Sequence, residues 1–277
     1  MTSDLHPIER SLKKLELLRD HGQGLLMPDT NSQEGWFSVA NLVTENHLME
    51  NLFQRLMSHY KATRLRPPAM FWFGHYAYTI ELITFAYFVV EGRVPDLSAS
   101  QIWMRLGETT DIQNVAWIGR SFAALPNDLD ASHPDCIVLP TREALREYMR
   151  EQLIAHFAPL VDSISAFSSL GKPGLWEIAA EYTAFAFVAL GELLGDEAIG
   201  VEESRAFSAT RSRLSPRRSF IPIDHIGTTH YLPDRISCCL YYQVEGGKYC
   251  HSCPHRPVEE RIDLMKQYWN EQAAQAV

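Results

Sequence analysis

Four of the chain's five cysteines fall within sixteen residues. Cys238 and Cys239 are adjacent, ten residues follow, and Cys250-x-x-Cys253 closes the set. Thiolate is a soft ligand, and four thiolates are the ligand set of an iron–sulfur cluster or of a structural zinc. Structural zinc normally takes two separated Cys-x(2–4)-Cys pairs, each wrapping one side of a tetrahedral ion. The vicinal pair departs from that pattern. A two-iron cluster needs two thiolates per iron and accepts ligands from irregular backbone, so the spacing favours iron–sulfur over zinc. A Rieske centre would need two histidine ligands, whereas His251 and His255 merely flank the cysteines. Disulfides are rare in the cytosol, and the first ten residues show no apolar export segment, so a reduced, cytoplasmic protein is expected.

The surrounding residues predict how the two pairs meet. Leu240–Val244 has strand propensity, Gly246-Gly247 is a turn signal, and Lys248-Tyr249 returns. A hairpin there would fold Cys250 and Cys253 back onto Cys238 and Cys239. Pro254 ends the knuckle without leaving an N–H in need of a partner. Tyr241, Tyr242, Lys248 and His251 lie inside this loop, placed to shield a metal centre, donate hydrogen bonds to it or face a substrate. Cys136 stands far away in sequence beside Asp135, and the expectation for it is a bystander thiol.

The stretch Arg235–Pro254 closely resembles the C-terminal signature of FhuF-like ferric-siderophore reductases: a basic residue, Cys-Cys, ten residues, Cys-x-x-Cys. More loosely, Phe71–Val90 and Phe157–Leu194, including Gly174-Leu-Trp176, resemble the helical body of that family. The resemblance implies a [2Fe-2S] cluster on Cys238, Cys239, Cys250 and Cys253, with Arg235 as the preceding basic residue. It further implies reduction of iron held by hydroxamate siderophores. Ile236 and Ser237 separate Arg235 from the cysteines where relatives often have a more basic run. The competing class is a non-enzymatic siderophore-binding or interaction protein with a structural four-cysteine zinc site.

Composition narrows the field. The chain has 277 residues, 46% hydrophobic and 21% charged, with a net charge of −9. That balance is ordinary for a globular protein and disfavours wholesale nucleic-acid binding, which wants a basic surface. Neither a P-loop nor a Gly-x-Gly-x-x-Gly fingerprint is present. Electrons are therefore expected from an external donor protein such as a ferredoxin or flavodoxin. Such donors are acidic, and Arg205, Arg211, Arg213, Arg217 and Arg218 form a basic run that could dock one, although charge runs are commonly just solvated surface.

Helical signals dominate the elements that must position the motif. Ile8–Arg19 is a charged amphipathic stretch, and Leu48, Leu52, Leu56 and Tyr60 line one face of a helix over Asn46–Lys61. Pro67 and Pro68 precede an apolar run, Ala69–Val90, long enough to span a bilayer. Its central Glu81 argues instead for a buried helix of a bundle, so no transmembrane span is expected. Peripheral contact with the inner membrane is compatible with the sequence but has no marker in it. Ser98-x-x-Gln101 predicts a short capped helix containing Trp103 and Leu106. Residues 107–140 read as irregular. Thr141–Phe167 predicts a long amphipathic helix kinked at Pro159, Leu175–Leu194 another ending near Gly195, and Glu202–Arg213 a further one. Trp103, Trp117 and Trp176 are read as core. Ser219–Ile223 and Thr228–Leu232 alternate like strands about Gly227, and Val258–Gln272 is helical again. The expected fold is mainly α: a helical body over residues 1–215, with a few short strands, and a small C-terminal iron–sulfur module over 216–277.

Overall fold

The computed structural model describes residues 5–15, 24–25 and 35–275. It is mainly helical. The chain opens with α1 (Pro7–Lys14), β1 (Gly24–Leu25), β2 (Trp36–Ser38), α2 (Val39–Thr44) and α3 (Asn46–His59), and then enters α4 (Arg66–Ala86). Part of the amphipathic stretch expected over Ile8–Arg19 lies outside the described residues. Pro67 and Pro68 do not precede α4; they form its first turn, where a missing N–H leaves nothing unpaired. A π-helical turn, Tyr87–Glu91, and a left-handed Gly92 end it.

α4 is buried on nearly every side because it sits at the centre of the body. Its main partner is α6 (Lys172–Leu193), with α5 (Arg142–Ser168) and α7 (Glu197–Ser208) completing the bundle. Leu145, Met149, Leu153, Phe157, Leu160 and Ile164 all reach the core from α5, as their spacing predicted, and the helix runs on through Pro159. Phe85 stacks on Phe187 with ring centroids 3.8 Å apart. Glu81 is 0% exposed, and the Thr183 hydroxyl donates to its Oε1 at 2.7 Å. Burial pushes its pKa well above the ordinary carboxylate range, so it is held neutral between α4 and α6. None of the described helices is long and apolar enough to cross a membrane.

The segment between α4 and α5 departs from expectation. Residues 93–138 hold β3 (Arg93–Pro95), β4 (Ile102–Leu106), β5 (Ile112–Trp117), β6 (Phe122–Ala124) and β7 (Cys136–Val138). One sheet has the order β1-β5-β4-β2 and another β3-β6-β7. The short helix expected at Trp103 and Leu106 is instead β4. Ser98 donates its N–H and hydroxyl to the Asp96 carboxylate, and its carbonyl accepts from Gln101 N–H in a turn, so no helix starts there. Ile102 and Met104 point inward and Trp103 and Arg105 outward, an alternation of period two. Trp117 is buried as expected, and Trp176 nearly so; Trp103 is half-exposed. Beyond α7, which spans Glu197–Ser208 rather than Glu202–Arg213, β8 (Phe220–His225) and β9 (Thr228–Pro233) form the expected hairpin, and α8 (Val258–Gln275) ends the chain.

A buried pair ties α4 to α5. His156 Nδ1–H donates to the Leu97 carbonyl at 2.7 Å, and its Nε2 accepts from the Tyr76 hydroxyl at 2.5 Å. Burial lowers the His156 pKa to about 4, so the ring is neutral in the fold. Because the unfolded chain takes up this proton first, the contribution is complete above pH ~6.5 and is lost as pH falls toward ~4. Tyr76→Phe should cost about 1–3 kcal/mol at pH 7 in urea unfolding, the penalty of an orphaned buried acceptor.

Candidate metal centre

The cysteine loop is stitched to the body at several points. Asp234 pairs with Arg261 of α8 at 3.0 Å and with Arg218 at 3.4 Å, which fixes the exit from β9. Glu181 of α6 reaches across and accepts from the Ile236 N–H at 2.9 Å. Leu240 then adopts a left-handed conformation, φ +65°, and its N–H points at Cys238 Sγ, 3.4 Å away. The expected strand after it is absent. Tyr241–Gln243 is a 3-10 turn, because the chain must reverse within a few residues; a Cβ on Gly247 would overlap the Tyr241 carbonyl. Compact turns thus do the work assigned to a hairpin. The second cysteine pair is closed by Cys253 N–H donating to the Cys250 carbonyl at 3.1 Å. Arg256 clamps it, donating to the carbonyls of Cys250 (3.1 Å) and Tyr249 (2.9 Å) while pairing with Glu260 of α8.

All four thiols converge. Cys238 neighbours Cys239 and Cys253, Cys239 neighbours Cys250, and Cys250 in turn acts on Cys253. The bond from the Cys239 thiol lowers the Cys238 pKa, whereas that same neighbour and burial raise that of Cys250. Burial raises that of Cys253. Among the described residues, the one trio of metal-capable side chains with ligand atoms within 4.8 Å of one another is His6, His133 and Asp135. At the histidine trio, His6 Nδ1 accepts from Ile8 N–H and its Nε2 faces Asp135 Oδ2 at 3.1 Å, so both ring nitrogens are already engaged.

Arg235 is 4% exposed beside these thiols. Its guanidinium lies 6.0 Å from the Tyr182 ring and 5.7 Å from that of Phe185. Nε donates to the Ser237 carbonyl at 2.9 Å, but Nη2 is buried without a partner, as is the Ser237 hydroxyl. Burial alone would lower the Arg235 pKa; Tyr182, Cys250, Cys239 and Glu181 together more than offset it. Two orphaned donors and a buried cation beside four thiols suit an anionic, sulfur-rich group, since cluster sulfurs accept hydrogen bonds.

Residues 235–255 match the FhuF 2Fe-2S C-terminal domain family. This C-terminal segment is FhuF-like and carries the [2Fe-2S] motif. Its cofactor is accordingly a [2Fe-2S] cluster. The match covers the cysteine segment alone. Among curated proteins, none matches the chain.

The FhuF-like centre has two unlike sides. Cys253 is 1% exposed, whereas Cys239 and Cys250 line a cavity of about 490 Å³. Tyr60, Phe71, His75, Tyr182, Phe185, Arg235, Tyr241 and Ser252 form its other walls. Of the loop residues singled out from sequence, Tyr241 faces this cavity. Tyr242 turns to Tyr249 and His255, His251 to Tyr268 of α8, and Lys248 to solvent. Cys136 is on β7, beside the Arg93–Asp128–Asp130 ion cluster and not among the converging thiols.

The arginine run is split. Arg211, Arg213 and Arg217 border a 620 Å³ cavity with Trp176 and Glu181, while Arg205 and Arg218 border another. Arg217 is paired with Glu177 and Arg213 lies over Trp176; Arg211 makes no ion pair among the described residues. Glu181 and Arg256 were not singled out from sequence. Glu181 carried a signal, as a lone acid inside the apolar run Ile178–Leu190. Replacing it separates its two roles. Glu181→Gln keeps an acceptor for Ile236 N–H and should retain most stability, whereas Glu181→Ala should lose about 1–3 kcal/mol in urea unfolding. The visible circular dichroism of the cluster should change in the alanine variant more than in the glutamine one.

Proposed function

We propose that the protein is a ferric-siderophore reductase in which Cys238, Cys239, Cys250 and Cys253 hold the cluster. It would reduce Fe(III) in hydroxamate siderophores by one electron and so release Fe(II). The observation that carries this reading is the asymmetry of the centre: Cys239 and Cys250 open on an aromatic cavity while Cys253 is sealed. A structural site has no need of an open side. A [2Fe-2S] cluster, when bound, supplies electrons one at a time. The chain's own residues bind and tune. Arg235 offsets negative charge at the thiols, the Tyr182 and Phe185 rings keep water from it, and the cavity walls hold a complex near the thiols. Hydroxamate oxygens are hard anionic donors that bind Fe(III) far more tightly than Fe(II), so a single electron suffices for release and no covalent catalysis is needed.

The electron donor is proposed to be an acidic protein of the ferredoxin or flavodoxin type, docking at Arg211 and Arg213, which flank the Lys172–Asp162 and Arg217–Glu177 pairs. Supporting this, Glu181 lies in that cavity and bonds to Ile236, two residues before Cys238. The basic face is thus one hydrogen bond from the cysteine loop.

Three outcomes are expected. Anaerobically purified protein should be red-brown with about two irons and two sulfides per chain, and Cys136→Ser should keep that colour. Zinc without labile sulfide would sink the reading. In stopped-flow mixing, the dithionite-reduced protein should be reoxidised faster by a ferric hydroxamate than by a ferric catecholate, whose tighter hold on Fe(III) makes reduction uphill. Finally, Arg211→Glu with Arg213→Glu should slow reduction by an acidic protein donor while leaving reduction by dithionite nearly unchanged; equal rates with the donor would reduce this face to solvated surface.

A further inference from the structure

The cavity beside the cysteines does not end at His75. A second cavity of about 320 Å³ shares Tyr60, Phe71 and His75 with it and runs on along α4 to the turn between β4 and β5. Taken together as one groove, the two adjoining cavities have their waist at those three shared residues. Each volume falls within the ~300–1,000 Å³ typical of small-molecule sites. Cys239, Cys250 and Arg235 close one end, and Thr110 and Asp111 the other.

The far end has the marks of a built site. Thr110 is 2% exposed and holds φ +68°, a left-handed conformation that β-branched residues avoid and that concentrates at ligand clamps. Arg55 grips the back of the turn, donating to the carbonyls of Gly107 and Glu108. Trp72 is buried and lines the groove, and its Nε1–H has no partner.

Charge selects the occupant. The thiolate end is anionic once a cluster is bound, with Arg235 as its offsetting cation. Asp111 places a carboxylate at the opposite end, close enough to add to the burial that raises the Tyr60 hydroxyl pKa. Between them the walls are Tyr60, Phe71 and His75, the last kept neutral by the surrounding protein although it opens to solvent. The groove is therefore electronegative at both ends and apolar at the waist. The Asp111 carboxylate and the thiolates repel an anionic complex; against a cationic one stand only Arg235, offset by the thiolates, and Arg55 behind the turn.

We infer that this groove binds a ferric hydroxamate complex whole, with its iron beside Cys239 and Cys250 and an ammonium-bearing arm laid along α4 to Asp111. The inference rests on the siderophore-reductase reading and adds to it where the substrate sits and which charge it carries. Gallium(III) copies the charge and size of Fe(III) but takes no electron, so it reads binding apart from reduction. Calorimetry on the cluster-loaded protein would use two gallium complexes: desferrioxamine B, linear with a terminal ammonium, and desferrioxamine E, cyclic and neutral. His75→Trp fills the waist from an exposed position and should weaken both at least tenfold, with the cluster's absorption unchanged. Asp111→Asn keeps the acceptor for Thr109 and should weaken the ammonium complex about twofold to fivefold, the scale of a half-exposed ion pair, while sparing the neutral one. No binding to the wild type, or wild-type binding by His75→Trp, overturns the groove. An Asp111→Asn effect equal on both complexes overturns the placement of the arm. Should both variants behave as expected while ferric complexes fail to reoxidise the reduced cluster, the groove stands and the reductase reading falls.

Discussion

A guanidinium buried at the seam between the helical bundle and the cysteine loop is the constraint on which the C-terminal third depends. Arg235 is flanked by Tyr182 and Phe185 of α6, and one of its nitrogens has no protein partner. Burying a cation is costly unless anions lie close. Glu181 supplies part of that charge, although burial raises its own pKa and so weakens its hold. The remaining anions must be thiolates. Metal loading deprotonates the cysteines and gives Arg235 its acceptors in one event, which couples cluster assembly to docking of the loop. A cysteine loop this short would gain its order in this way.

α6 divides the two approaches to the centre. Trp176, Glu177, Ala180 and Glu181 border the basic cavity, while Tyr182 and Phe185, one and four residues past Glu181, border the aromatic one. Successive residues of a helix point about 100° apart, so adjacent positions can serve opposite sides. On the proposed function, an electron would arrive on one side of this helix and leave on the other. The same separation keeps a bulky donor protein from competing with the ferric complex for one surface. Gly74 makes the arrangement sterically feasible, because a Cβ there would overlap the Tyr182 ring that covers Arg235.

Sequence revealed the parts whose information is local. Four cysteines in sixteen residues declare a metal centre, and the apolar period of α5 placed Leu145 through Ile164 in the core as found. β8 and β9 were legible from alternation about Gly227. Local signals misled at Ser98–Leu106, where a capping-box pattern competed with a strand only five residues long. At Leu240–Val244, strand propensity yielded to closure of the metal loop, which needs reversal within a few residues and tolerates a left-handed Leu240 to achieve it. Tyr60, Phe71, His75, Tyr182 and Phe185 carry no mutual signal, since the packing of α4 on α6, with Tyr60 added from the end of α3, brings them to the cysteines.

The strands that sequence left as a short helix and irregular chain have their largest consequence at the substrate side. β4 and β5 pair antiparallel with a shift of register at Arg105/Leu106, and the turn between them carries Thr110 and Asp111 to the end of the groove. A helical segment in the place of β4 would present no such turn, and the groove would stop at the waist. Register shifts re-aim the chain beyond them, and the left-handed Thr110 beyond this one is the conformational cost of that aim. The bundle provides the walls and the cysteine loop the electron-bearing end. The small sheet then sets how long a molecule must be, and with what charge at its tip, to occupy the whole site.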